Sequence, residues 1–194
     1  MWRSANGRVW PAAAATLAAL LVVGLGACGG GSQQAVRTTS WAESFCQSYR
    51  RYESQVARLG GRLQQALVGS PTPLATRKRA VVAYLSAVVA ETDGFTRDLD
   101  GAGTPDVTHG AALVAAIGEG FAQLRAALAS AHHRAEALSP TDRQAFSAAA
   151  SEVSRSIGSG SRQSRATIVE ARARFGTPAL DRAFTHASAC AAIA

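Results

Sequence analysis

Apolar residues in this chain return at alternating steps of four and three, and that spacing confines the fold to packed helices. In the first run Phe45, Tyr49, Tyr52, Val56, Leu59 and Leu63 follow one another, Ala66 continues the series and Trp41 precedes it. Side chains three and four apart share one helix face, so the run is a heptad seam that must be buried against other helices. It predicts a first helix from about Ser40 to Val68.

The same spacing returns four more times. Leu85, Thr92, Phe95 and Leu99 mark a second helix, together with Val81 or Val82 and Val88 or Val89. Val114, Ile117, Phe121, Leu124, Leu128, Ala131, Ala135 and Leu138 mark a third. Phe146, Ala150, Val153, Ile157, Ile168, Ala171 and Phe175 mark a fourth, and Leu180, Phe184, Ala187 and Ala191 a short fifth. The breaks carry start and stop chemistry. Thr72-Pro73, Thr104-Pro105, Ser139-Pro140 and Thr177-Pro178 each read as a cap followed by proline at the first helical position, and Gly101-Ala102-Gly103 ends the second helix. No strand pattern is visible. Apolar residues make up 47% of the chain, mostly alanine, and aromatics only 6%, a balance that favours helix over sheet. Short connections make sequential helices run in opposite directions. The expected fold is therefore all-α: an antiparallel bundle of four long helices plus a short C-terminal helix, closed by a disulfide.

The first 27 residues read as a targeting leader rather than fold. Arg3 and Arg8 form a positive start, and no charge follows from Val9 to Ala27. The uncharged stretch approaches the length of a membrane span, so a retained anchor helix is the competing reading. Pro11, Gly24 and Gly26 each weaken such a helix. Leu25-Gly26-Ala27-Cys28 resembles the bacterial lipobox, an aliphatic residue and two small ones before cysteine. That resemblance implies diacylglycerol on the Cys28 sulfur, signal-peptidase recognition through Leu25, Gly26 and Ala27, and cleavage before Cys28. Residues 28–39, beginning Cys28-Gly29-Gly30-Gly31-Ser32, have the composition of a flexible linker, leaving 40–194 as the domain.

Lipidation of Cys28 leaves Cys46 and Cys190 as a pair, and an exported domain sits where disulfides persist. The rival reading is zinc, since His186 and Cys190 share a helix face and Cys46 would be a third ligand. No fourth ligand follows from the spacing, and neither metal nor cofactor is expected. His133 and Glu136 stand three apart without the repeated Glu-x-x-His pairs of di-iron bundles. No nucleophile elbow or phosphate loop is present. Glu91, Asp93, Asp98 and Asp100 read as a solvated helix face. Small residues at seam positions, Gly160 and Ser164 in the fourth helix and Gly60 and Gly61 in the first, are either a pocket between helices or sites of close packing and bending.

The formal charge is +7, and all but one of the 20 basic residues are arginine. They are spread along the chain without interleaved aromatics, so no nucleic-acid partner is expected. The lipobox, Trp41-x-x-x-Phe45-Cys46, Gly103-x-Pro105-Asp106-Val107 and Ala189-Cys190 together resemble small lipoproteins of actinobacterial cell envelopes. The resemblance implies a membrane address, through lipid on Cys28 at the extracytoplasmic face, and a helical domain. The expected function is a non-enzymatic binding or interaction module with a protein, lipid or cell-wall partner. A small-ligand carrier or sensor is the alternative, and an enzyme of unknown class the second.

Overall fold

Residues Gln33–Ala194 form one unit of the chain. Within it a computed structural model describes residues 35–68 and 73–191. The leader, Cys28, the proposed Thr72 cap and the last three residues lie outside the described residues.

Five helices account for most of the unit: α1 (Thr38–Leu67), α2 (Leu74–Gly101), α3 (Gly110–Glu136), α4 (Arg143–Phe175) and α5 (Pro178–His186), followed by a 3-10 turn at Ser188–Cys190. The seams face inward over most of their length, while Ala66 at the end of the first and Ala191 at the end of the last are exposed. Phe45, Leu85, Leu113, Ile117, Phe121, Ile168 and Leu180 have no exposed surface at all. Helix α1 packs on α2, α2 on α3, and α3 on α4, while α5 returns to α1. Each burial of a large apolar side chain contributes about 1.5–3 kcal/mol, which is what holds a marginally helical sequence in helices.

Capping follows the sequence in part. Thr177 accepts the Leu180 N–H at 3.2 Å with Pro178 at the start of α5, as its Thr-Pro step predicts. Helix α4 begins later than Ser139-Pro140 indicates: Asp142 is the cap, accepting the N–H groups of Gln144 and Ala145 at 3.0 and 2.9 Å. A carboxylate satisfies two orphan donors there, which one hydroxyl cannot do as well. Beyond it α4 runs unbroken through the Gly/Ser stretch to Phe175.

Thr104-Pro105 does not start a helix. It forms a two-residue strand, β2 (Thr104–Pro105), parallel to β1 (Ala35–Val36), with Ala35 opposite Thr104 and Val36 opposite Pro105. Two-residue strands are too short to show period-two patterning, so the sequence carries no trace of them. Ala35 and Val36 fall inside the stretch expected to be linker, and α1 starts at Thr38, two residues before the predicted start. The Trp41 indole N–H donates to the Gly103 carbonyl at 3.0 Å, and the Thr38 hydroxyl to that of Asp106 at 3.2 Å. Gly103 sits at φ 72°, where a side chain is strained. A Cβ on Gly110 would lie 2.2 Å from the Pro105 carbonyl oxygen, so α3 starts on glycine because nothing larger fits.

Cys46 and Cys190, both fully buried, are joined by a disulfide with Cα atoms 5.0 Å apart. It pins the end of the chain to the first half of α1. Around it an aromatic stack runs through the core: Trp41 on Phe45, Phe45 on Tyr49, and Phe184 edge-on to both Trp41 and Phe45. Phe95 and Phe121 continue it with ring centroids 4.3 Å apart.

Candidate functional site

Helices α1 and α4 hardly meet along their backbones, and an open cleft of about 900 Å³ lies between them. Several of the positions that face it on α1 are small: Ser54, Ala57, and Gly60, where a Cβ would have nothing within 4 Å. Ser164 faces it from α4. Such side chains cannot span the gap, so the two helices stay apart. Apolar surface is contributed by Val56 and Val169, and by two aromatic rings, Tyr52 of α1 and Tyr84 of α2. Val169 is 55% exposed, one of two large apolar residues, with Val68, that are largely exposed among the described residues.

One ion pair crosses the cleft: Arg165 Nη2 donates to Glu53 Oε1 at 2.8 Å. The carboxylate of Glu53 also holds the Arg165 guanidinium above its ordinary pKa. Behind it, burial pushes the Tyr49 phenol up to about 12. Its hydroxyl is sealed from water without a well-formed hydrogen bond, although Ser164, Glu53 and Arg165 lie around it. Burial raises the Tyr52 and Tyr84 phenols as well. All three hydroxyls therefore stay neutral at ordinary pH, and offer hydrogen bonds rather than nucleophiles or bases.

The four small residues singled out from the sequence do not form one pocket. Gly60 and Ser164 line the α1–α4 cleft. Gly160 lies on the α3 side, where it lines a separate hollow with Leu124 and Gln163 and approaches α3 closely, since a Cβ there would stand 3.0 Å from a Leu124 methyl. Gly61 is exposed. Tyr49, a seam residue of the first helix, buries its hydroxyl as well as its ring. Tyr84, Val169 and the Glu53–Arg165 pair are residues of the cleft that the seam reading missed. Tyr84 stands next to the seam residue Leu85, and its own burial is set by the neighbouring helices.

The zinc reading of Cys46, Cys190 and His186 is overturned, because both sulfurs are consumed in the disulfide. At the end of α3 the Nδ1 atoms of His132 and His133 stand 3.5 and 3.4 Å from one Glu136 oxygen. These are pairs one turn apart on a largely exposed face, which a single helix produces from sequence spacing alone.

No protein family, curated protein or solved structure matches this chain. The α1–α4 cleft and the sequence around Cys28 are therefore the two features on which a functional reading stands.

Proposed function

We propose that this chain is an extracytoplasmic lipoprotein of the bacterial cell envelope, similar to the small actinobacterial group, that acts as a non-enzymatic binding module. Lipid on Cys28 tethers it to the membrane. Its four long helices form an antiparallel bundle, supported by short connections and by packing in chain order. The observation that carries the binding reading is the unclosed α1–α4 face: an otherwise packed bundle leaves aromatic rings, an exposed valine and a bridging ion pair on one cleft. Concave apolar surface with a few fixed polar groups is the usual form of a binding site. The carrier reading keeps a claim through the cleft volume, about 900 Å³, which lies in the range of small-molecule pockets.

Intact-mass analysis of protein extracted from membranes tests the address. The expected species begins at Cys28, carries acyl chains there and has Cys46 and Cys190 oxidised. A chain that retains residues 1–27 rejects the lipoprotein reading. Photo-crosslinkers placed at Val56 and Val169, compared with Arg58 on an exposed position, test the cleft. Crosslinks concentrated at the first two support a binding face, and equal or absent labelling rejects it. Small molecules co-purifying with the protein would favour the carrier.

A further inference from the structure

A second hollow, of about 590 Å³, lies between the start of α2 and the first half of α4. Three guanidinium-bearing residues line it: Arg77 from α2, and Arg143 and Arg155 from α4. Like charges brought to one cavity repel, and a folded protein ordinarily sets a carboxylate among them. Here none lines the hollow. All 13 acidic side chains of the chain lie among the described residues, and none of them is in the lining. Two acids stand close to it in sequence. The Asp142 side chain accepts two backbone N–H groups at the α4 start. Glu152 pairs with Arg134 at 3.4 Å and faces a neighbouring hollow that it shares with Arg155, outside the one lined by Arg77 and Arg143.

The Arg77 Nε–H is buried and has no hydrogen-bond partner among the described residues. A buried charged donor left unmade is costly, and an incoming acceptor would recover that cost. Ser147 and Ser154 add hydroxyl donors, while Phe146 and Leu74 give the hollow an apolar wall that lowers the local dielectric.

We propose that Arg77, Arg143 and Arg155 form a binding site for a phosphate group. Guanidinium forks match phosphate oxygens in pairs, and three of them suit a group that carries up to two charges and several acceptors. A carboxylate is planar and holds its two oxygens in one plane, whereas a phosphate group, free or as a diester, sets its oxygens tetrahedrally and can meet forks that come from two helices. The site is separate from the α1–α4 cleft and does not depend on its occupant. The phosphate has two sources, the headgroup of an anionic lipid or a free phosphate.

The test is calorimetric titration of the full chain with inorganic phosphate, acetate, and soluble short-chain phosphatidylglycerol and phosphatidylcholine. Phosphate is expected to bind and acetate to bind more weakly. Tighter binding of phosphatidylglycerol than of phosphate, with phosphatidylcholine weak, assigns the lipid source. Phosphatidylglycerol no better than phosphate assigns the free anion. Arg77→Gln and Arg155→Gln should each weaken binding about tenfold, the loss of one charge-assisted contact, with Arg58→Gln unchanged. Arg77→Lys, which keeps the charge and loses the fork, should also weaken it. If Arg77→Gln fails to fold, Arg155→Gln, at an exposed position, carries the comparison. Absence of phosphate binding, or equal affinity in wild type and Arg155→Gln, overturns the proposal.

Discussion

Tyr49 illustrates how burial alone changes what a side chain can do. The residue is 1% exposed, and its phenol is raised to about 12, first by desolvation. In the unfolded chain the same group titrates near 10. Below that pH both states are protonated and the group is neutral toward stability. Between about 10 and 12 the unfolded state loses its proton while the folded state keeps it, so stability falls as pH rises. Urea denaturation at pH 9 and pH 11 should show this loss, and Tyr49→Phe should make it smaller. At pH 7 the same variant should unfold at equal or higher urea concentration than wild type, because it removes a buried hydroxyl lacking a well-formed hydrogen bond. A marked loss of stability at pH 7 would show that the hydroxyl is paired after all.

At the scale of helices, glycines with the same sequence character have opposite roles. A Cβ on Gly120 of α3 would lie 2.2 Å from Thr167 Cγ2 and 2.6 Å from its Oγ1, so α3 and α4 touch there through a missing side chain. Gly120→Ala should destabilise by about 1–3 kcal/mol through overpacking, read from chemical denaturation. Gly61 of α1 meets nothing within 4 Å, and Gly61→Ala should stabilise by about 0.5–1 kcal/mol through helix propensity. A stabilised Gly120 variant would mean that the helices part at no cost. Neighbouring helices are also laced by surface ion pairs. Arg51 meets Asp98 between α1 and α2, Arg125 meets Asp93 between α2 and α3, and Arg134 meets Glu152 between α3 and α4. The acidic stretch of α2 is thus a set of partners for arginine as much as a solvated face. Each exposed pair contributes about 0–1 kcal/mol, so they select register more than they stabilise.

Across the whole molecule, one bond closes almost the entire domain. The Cys46–Cys190 link spans 144 residues, worth about 5 kcal/mol in the chain-entropy account and about 2–5 kcal/mol as measured for native disulfides in small secreted domains. The Cys46→Ala, Cys190→Ala double variant should therefore lose about 2–5 kcal/mol, and reductant should lower the melting temperature of wild type alone. An unchanged midpoint would mean that packing of α5 by Phe184 and Leu180 suffices. The residues around this bond explain why Trp41, Phe45, Gly103 and Cys190 stood out in the sequence. Trp41 stacks on Phe45 and hydrogen-bonds Gly103, and Cys190 lies against the same turn of α1. They form a structural clasp where α1 begins and the 3-10 turn after α5 closes on it.

Helix number, seam residues and the disulfide partners were legible in the sequence, because each depends on local spacing or on elimination among three cysteines. Phe121 and Leu124 had to be buried whatever their neighbours. The cap at Asp142 and the start of α3 at Gly110 are local, but Ser139-Pro140 and Thr104-Pro105 offered competing starts beside them. The β1–β2 pairing was decided only in three dimensions, by a chain crossing. The same holds for the cleft and the arginine hollow. Whether small residues make a tight contact, as Gly160 does against Leu124, or an opening, as Gly60 does opposite Ser164, depends on how far apart the facing helices stand. Periodicity records which face of a helix is buried. The separation between two such faces is settled by every side chain between them at once.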